Sequence, residues 1–447
     1  MSLPQTFADR NVCIIGLGYV GLTLAVAMAD TGFTVHGVEK RDEVLDGLAK
    51  GEPHFWEPRL KEKLARVKSK GNLTFSKGLD SSTRASVYII TVGTPLDKLG
   101  NARLDMAEDA TRQVIDHMSD GALIILRSTV KLGTARNVVK RLLDQSGKRY
   151  QIAFCPERTL EGRALIELHE LPQVIGADDA DTRWRCQQLF GQMTPTTVAV
   201  SSLETAELVK LVDNTYRDLT FGFANEIAAL CGNAGISARE VIRAGKLGYP
   251  RTNVALPGPV GGPCLEKDPH ILAESAKQWG VNMPITLAGR HTNEQQPAVV
   301  ARFARDRADR MDGFSRTPVI SLLGLAFKGV PATDDLRGTM ALPIFRALEE
   351  AFPEASFRGY DAVVTPQATR DFFGFDSVPD LASAFRGADL VMILNNHPSF
   401  QNMDLAALAV GMNRPGIVYD LWNMHDDVGE AMPQGVAALA LGSENRS

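Results

Sequence analysis

The sequence predicts an α/β fold in which two doubly wound parallel sheets flank a central helical region with one long helix. Three observations predict it: β-branched runs alternate with helical stretches early in the chain, the same alternation returns late, and a long proline-free stretch of helical spacing separates them. The first series of strand-like runs covers residues 11–15, 34–39, 86–92, 122–126 and 152–154. Over 205–232, Leu208, Leu211, Val212, Tyr216, Leu219, Phe223, Ile227 and Leu230 share one apolar stripe. At 1.5 Å per residue this reads as one helix of roughly 40 Å, long enough to bridge domains and to carry a homodimer contact. A polar break over 312–317 precedes the second series, at 318–327, 356–360, 389–394 and 417–419. The expected parts are an N-terminal domain at 1–200, a helical domain at 201–310 and a C-terminal domain at 311–447.

Composition narrows the function. The 447 residues carry 48 Lys+Arg against 53 Asp+Glu, a net charge of −5, which lacks the basic field that nucleic acids or anionic membranes require. Small soluble substrates are the expectation. The five cysteines, Cys13, Cys155, Cys186, Cys231 and Cys264, are odd in number and form no C-x-x-C pair, arguing against a disulfide framework or a zinc cage. No metal-ligand spacing occurs elsewhere, and a reducing cytoplasm fits the cysteine usage. No basic leader with a cleavage site is visible. Residues 12–29 are uncharged and nearly long enough to span a bilayer, but Gly16, Gly18 and Gly21 divide them into strand, turn and helix.

That division carries chemistry. Gly16-Leu-Gly18-Tyr19-Val20-Gly21 follows a strand and opens a helix, as a Rossmann-like dinucleotide turn does: the glycines make the tight turn, admit a pyrophosphate and let helix and strand pack closely. Glu39 ends the second strand roughly 20 positions on, where a carboxylate accepts the ribose hydroxyls and repels a 2′-phosphate. NAD is favoured, while Lys40 and Arg41 leave NADP open. Cys264 follows Gly261-Gly262-Pro263 and precedes Lys267 and Asp268; this polar loop suits either a nucleophile or a buried structural thiol. Cys13 and Cys231 read as core, and Cys186 as part of a surface helix. Glu157 and Glu161 lie where catalytic loops gather, beyond a strand's carboxyl end. Lys210 and Asn214, at i and i+4, share one helical face and can aim at one oxygen, although a lone lysine there is more often solvated.

Together these segments resemble the UDP-glucose/GDP-mannose dehydrogenase family, the nucleotide-sugar 6-dehydrogenases. The resemblance covers nearly the whole chain: GLGYVGL at 16–22, VGTP at 92–95, STV at 128–130, PERTLEG at 156–162, AELVKLVDNTY at 206–216, GGPCLEKDP at 261–269 and GLAFKGVPATDDLRG at 324–338. It implies two-step oxidation of a sugar C6 alcohol to a carboxylate, with Cys264 forming a thiohemiacetal and then a thioester. It further implies Glu157 as base for water attack, Lys210, Asn214 and Asp268 around the C6 oxygen and a water, and Thr129 positioning that water. Cofactor contacts would come from Gly16, Gly18, Tyr19, Val20, Gly21, Glu39, Thr94, Thr129, Glu161, Lys267 and Arg337. Substrate contacts would come from Glu157, Thr159, Leu160, Glu161, Lys210, Asn214, Arg251, Asn253, Gly261, Cys264 and Lys328.

The resemblance leaves the sugar open. The loop at 249–260 is similar to the proline-rich PGP form of enzymes acting on UDP-N-acetylhexosamines, whereas UDP-glucose enzymes usually carry Phe at the place of Val260 and Ser at that of Pro263. Asn395-Asn396-His397 also departs from the UDP-glucose branch. A UDP-N-acetylhexosamine is the favoured substrate, UDP-glucose the alternative, and surface polysaccharide the expected destination. Two further readings compete: a two-electron hydroxyacid or hydroxyacyl dehydrogenase, which leaves Cys264 and the last domain without a role, and a silent nucleotide-sugar sensor.

Overall fold

The computed structural model describes residues 3–4, 6–81, 83–97, 101–425 and 431–445. The chain forms two compact units, one of residues 1–214 with 270–282 and one of 215–269 with 283–447.

In the first unit, eight strands are ordered β3-β2-β1-β4-β5-β6-β7-β8: β1 Asn11–Ile15, β2 Thr34–Val38, β3 Leu73–Ser76, β4 Val87–Ile90, β5 Ala122–Leu126, β6 Tyr150–Phe154, β7 Gln173–Gly176 and β8 Thr197–Val200. Neighbours pair in parallel except β6 and β7, which meet antiparallel at Phe154 and Gly176. Every residue of β4 and β5 is buried, because helices cover both faces of such a sheet and leave only apolar side chains room. The helix Tyr19–Thr31 is buried over Gly21 to Ala29 and stops at Gly32, whose φ of 114° turns its N–H back onto Ala29 and Met28 carbonyls.

The segment before the helix Leu60–Ser69 is unusual. Leu60 N–H donates to the Glu57 carbonyl at 3.1 Å, closing a turn with Pro58 second and Arg59 third, at φ 66° and ψ 5°. Glycine normally fills that third place of a type II turn. The left-handed region costs a non-glycine residue roughly 1–2 kcal/mol, and glycine's extra unfolded-state freedom takes back about 0.5–1 kcal/mol. Arg59→Gly is therefore expected to be neutral to stabilising, by up to about 1 kcal/mol in urea unfolding. A clear loss would show that the arginine side chain compensates for its backbone.

The second unit has five parallel strands ordered β10-β9-β11-β12-β13: β9 Val319–Leu323, β10 Ser356–Tyr360, β11 Leu390–Ile393, β12 Gly416–Asp420 and β13 Val436–Ala440. The two Rossmann-like sheets and the helical segment between them are thus present. The strand expected over 318–327 is shorter, because Gly324, at φ 85°, turns the chain beside Asn395. The long helix is longer than expected, Leu203–Ala234, and its stripe divides. Leu211 is fully buried, whereas Val212, Tyr216, Phe223 and Leu230 are exposed.

Candidate active site

The glycine turn has the close packing that its sequence implies. A Cβ on Gly21 would stand 1.9 Å from the Gly16 carbonyl oxygen and 2.6 Å from Thr91 Oγ1, so no other residue fits without moving the turn. Gly16, at φ 93°, lies against Val92. Gly18 is the N-cap of the helix that Tyr19 and Val20 begin, and no side chain caps it, leaving its opening N–H groups the character of an anion site. Glu39 is buried at the end of β2 and accepts from Leu17 N–H at 3.2 Å and from the Arg41 N–H and guanidinium at 2.9–3.1 Å. Burial opposes its charge, but the Arg41 and Leu17 donors hold its pKa below the ordinary carboxylate value. Arg41 therefore orients the carboxylate expected to receive the ribose. These features fit a dinucleotide.

Two more loops of this unit gather expected residues. Thr94 donates to the Thr129 carbonyl, joining the VGTP and STV segments. The turn after Thr129 is fastened to the long helix by Glu207, which accepts from Gly133 N–H at 2.6 Å and Ala135 N–H at 2.7 Å. Burial pushes Glu207 up to about 7 against the pull of those N–H groups. Lys210 and Asn214, on the same helix, are 8% and 6% exposed, so the solvated-lysine alternative does not hold.

Glu157 is also buried, and all its acceptor positions are in use. One oxygen takes the N–H groups of Arg158 and Thr159, each at 2.7 Å, and the other takes the Arg127 guanidinium at 2.5 and 3.1 Å. Burial raises its pKa, but Arg127, the Thr159 N–H and Lys210 together outweigh burial and lower it. Arg127, 3% exposed and bonded also to the Cys155 carbonyl and Gln173, was not singled out from sequence. Its position directly before the STV motif was the available signal. Leu160 N–H donates to Glu167, and the N–H of Gly162, next to Glu161, donates to Tyr19 and Glu57.

The second unit holds the cysteine loop. A Cβ on Gly261 would meet the Gly338 carbonyl oxygen at 2.3 Å, and one on Gly262, at φ 93°, the Phe327 ring at 2.5 Å. Those glycines let the Cys264 loop lie against the loop that bears Lys328 and Arg337, with Gly262 N–H donating to Gly338 at 2.7 Å. Cys264 is the one exposed cysteine; the other four are buried, including Cys186, expected on a surface helix. Burial pushes Cys13 up to about 12 and Cys231 upward; a hydrogen bond with Cys155, then burial, raise Cys186 strongly. Lys267 Nζ stands 2.9 Å from Asp268 Oδ1, and the carboxylate with the Cys264 sulfur raises Lys267 despite its burial. Asp268 N–H in turn donates to the Cys264 carbonyl at 2.9 Å. Arg290, buried and missed by the sequence reading, braces the loop by donating to Leu265 and Asp218. Arg251 stacks on Tyr249, Asn253 is exposed, Lys328 lies over Phe327 and Arg337 pairs with Asp335.

Comparison with known proteins agrees with this distribution. The UDP-glucose/GDP-mannose dehydrogenase family matches in three consecutive parts: its NAD binding domain at 10–194, its central domain at 204–295 and its UDP binding domain at 321–427. The chain belongs to that family. As a member it is an NAD-dependent oxidoreductase of the nucleotide-sugar dehydrogenase type. A UDP-N-acetyl-D-mannosamine dehydrogenase of Pyrococcus horikoshii is 31% identical over 413 residues, covering 91% of this chain and 94% of that protein. The solved structure of UDP-D-ManNAc dehydrogenase from the same organism superposes with a TM-score of 0.87 at 29% identity, covering 97% of this chain and 100% of the other. A UDP-glucose dehydrogenase structure from Pyrobaculum islandicum gives 0.85 at 27% identity, covering 99% and 100%. Among the described residues no helix is long and apolar enough to cross a membrane.

Proposed function

We propose that this dehydrogenase oxidises the C6 alcohol of a UDP-N-acetylhexosamine, UDP-N-acetyl-D-mannosamine foremost, to the uronate in two two-electron steps. The observation that carries the chemistry is Cys264, the exposed thiol of five, on a loop shaped by glycines and flanked by Lys267 and Asp268. The names of the relatives support the acetamido sugar, as does the PGP loop. UDP-glucose remains the second reading, supported by the Pyrobaculum structure.

NAD, when bound at the glycine turn and Glu39, supplies the hydride acceptor for each oxidation. Lys210 and Asn214 are assigned to the C6 oxygen, where a cation and an amide favour the charge that develops as its proton leaves. The Cys264 thiolate adds to the aldehyde carbon, forming the C–S bond of a thiohemiacetal. Loss of hydride from that carbon and of the proton from its hydroxyl leaves a thioester. Water held by Thr129 and Asp268 then cleaves the C–S bond, releasing the acid and the thiol. Glu157, charged by virtue of Arg127, accepts the water's proton after the water replaces one of its four present donors.

The wider setting belongs to the same reading. The exposed side chains of Val212, Tyr216, Phe223 and Leu230 on the long helix support a homodimer through that face. Five cysteines, none of them in a disulfide, support a cytoplasmic site, and uronate formation supports a role in surface polysaccharide synthesis. The three matched segments support working parts at 1–200, 201–310 and 311–447.

Counting NADH per sugar with excess NAD across UDP-N-acetylmannosamine, UDP-N-acetylglucosamine, UDP-glucose and GDP-mannose tests the proposal. Two equivalents from an acetamido sugar are expected. One equivalent overturns the thioester scheme, two from UDP-glucose alone overturn the sugar, and none from any favours the sensor.

A further inference from the structure

Glu57 lies outside every motif above, yet three donors from two distant segments converge on its carboxylate. One oxygen accepts the Tyr19 hydroxyl and, at 2.7 Å, the Gly162 N–H; the other receives the Leu165 N–H at 3.4 Å. The Tyr19 hydroxyl itself accepts from Gly162 N–H at 2.9 Å. Tyr19 is the first helical residue after the glycine turn, while Gly162 closes the PERTLEG loop that begins with Pro156 and Glu157. Glu57 is 5% exposed, and the Phe55 ring lies 4.8 Å from that of Tyr19. Its turn also holds Arg59 at φ 66°, a conformation a non-glycine residue adopts only where its surroundings impose it.

We propose that Glu57 is a positioning residue that ties the dinucleotide turn to the PERTLEG loop, so that binding of the cofactor fixes the loop bearing Glu157, Thr159 and Glu161. The inference rests on the proposed reading of those two segments as cofactor and substrate walls. Burial raises the pKa of Glu57 and, with Glu57 beside it, that of Tyr19, so the hydroxyl keeps its proton for this bond. An anchored N–H pair at Gly162 and Leu165 converts a shift of the helix start into a shift of the loop.

The test is hydrogen exchange on the full-length chain with NAD as the sole added ligand, so that it does not depend on which sugar is oxidised. In the wild type, NAD is expected to slow exchange over 156–165 at least fivefold. In Glu57→Ala and in Tyr19→Phe that slowing is expected to fall below twofold, while Glu57→Gln, which keeps one oxygen for the Tyr19 and Gly162 donors, restores it. Tyr19→Phe removes only a hydroxyl and serves if Glu57→Ala does not fold. Equal protection in wild type and Tyr19→Phe would mean that NAD acts on the loop without this tie, overturning the proposal; so would no protection in the wild type. Calorimetric titration of NAD on the same samples keeps the two readings apart. Failure of the wild type to bind NAD counts against the cofactor reading and overturns the coupling with it, whereas binding without loop protection overturns the coupling alone.

Discussion

Replacing Cys264 with alanine is expected to remove the second NADH equivalent entirely and to slow sugar oxidation by roughly 10³-fold or more, the scale seen when a covalent nucleophile is deleted. An aldehyde has no hydride to give until a nucleophile has added to its carbon, and no other described cysteine is exposed. NAD affinity should be unchanged, because the glycine turn and Glu39 do not involve the thiol. Cys264→Ser should give an ester-like adduct that hydrolyses slowly. Quantifying NADH per sugar with both variants decides the matter: two equivalents from Cys264→Ala would end the thioester scheme.

Arg127→Met is expected to produce the largest loss of stability, about 3–5 kcal/mol, because it leaves Glu157 charged, buried and without its cation. The Gln173 and Cys155 carbonyl oxygens lose the same donor. Adding Glu157→Leu should recover most of the loss, since an apolar pair of similar volume demands no compensation. The pH dependence has a definite sign. Glu157 lies below the ordinary value of 4.5 in the folded wild type, so its contribution is present above that value and disappears as pH falls through the folded one. Without Arg127, burial is opposed by the Thr159 N–H and Lys210 without the strongest cation, so the variant's carboxylate holds its proton to higher pH; the deficit should be greatest near neutrality and shrink on acidification. Urea midpoints from pH 4 to 8 measure this; a deficit that grows in acid would show that the ion pair is not its source.

Much of this was legible in the sequence because the periodicities were strong. The apolar runs VCII, after Asn11, and ALIIL suit a covered parallel sheet, and they formed β1 and β5 with the expected ends. Four strands were not anticipated. β3, LTFS, and β8, TVAV, are short edges with exposed residues, β7 begins with a buried Gln173, and β13, VAALA, has the composition of a helix. Tertiary pairing, not propensity, makes them strands. The exposed cysteine loop, the glycine turn and the acidic residue after β2 were readable because each combines a residue type with a local shape. Arg127, Glu207, Arg290 and Glu57 were not, for their roles arise from partners far away in the chain: Glu57 meets Gly162, and Glu207 meets Gly133. A charged residue in an apolar stretch signals only that a counterpart exists.

The distribution of the cysteines has an analytical consequence. Four thiols are shut away from solvent and, where raised by burial or by one another, are slow to form thiolates, while the fifth faces solvent beside a lysine. Electrophiles and oxidants therefore converge on a single sulfur. Uptake of a small alkylating reagent by the folded chain becomes a direct count of that one thiol, one label for each folded chain, and protection from that label reports occupancy by any ligand that covers the loop.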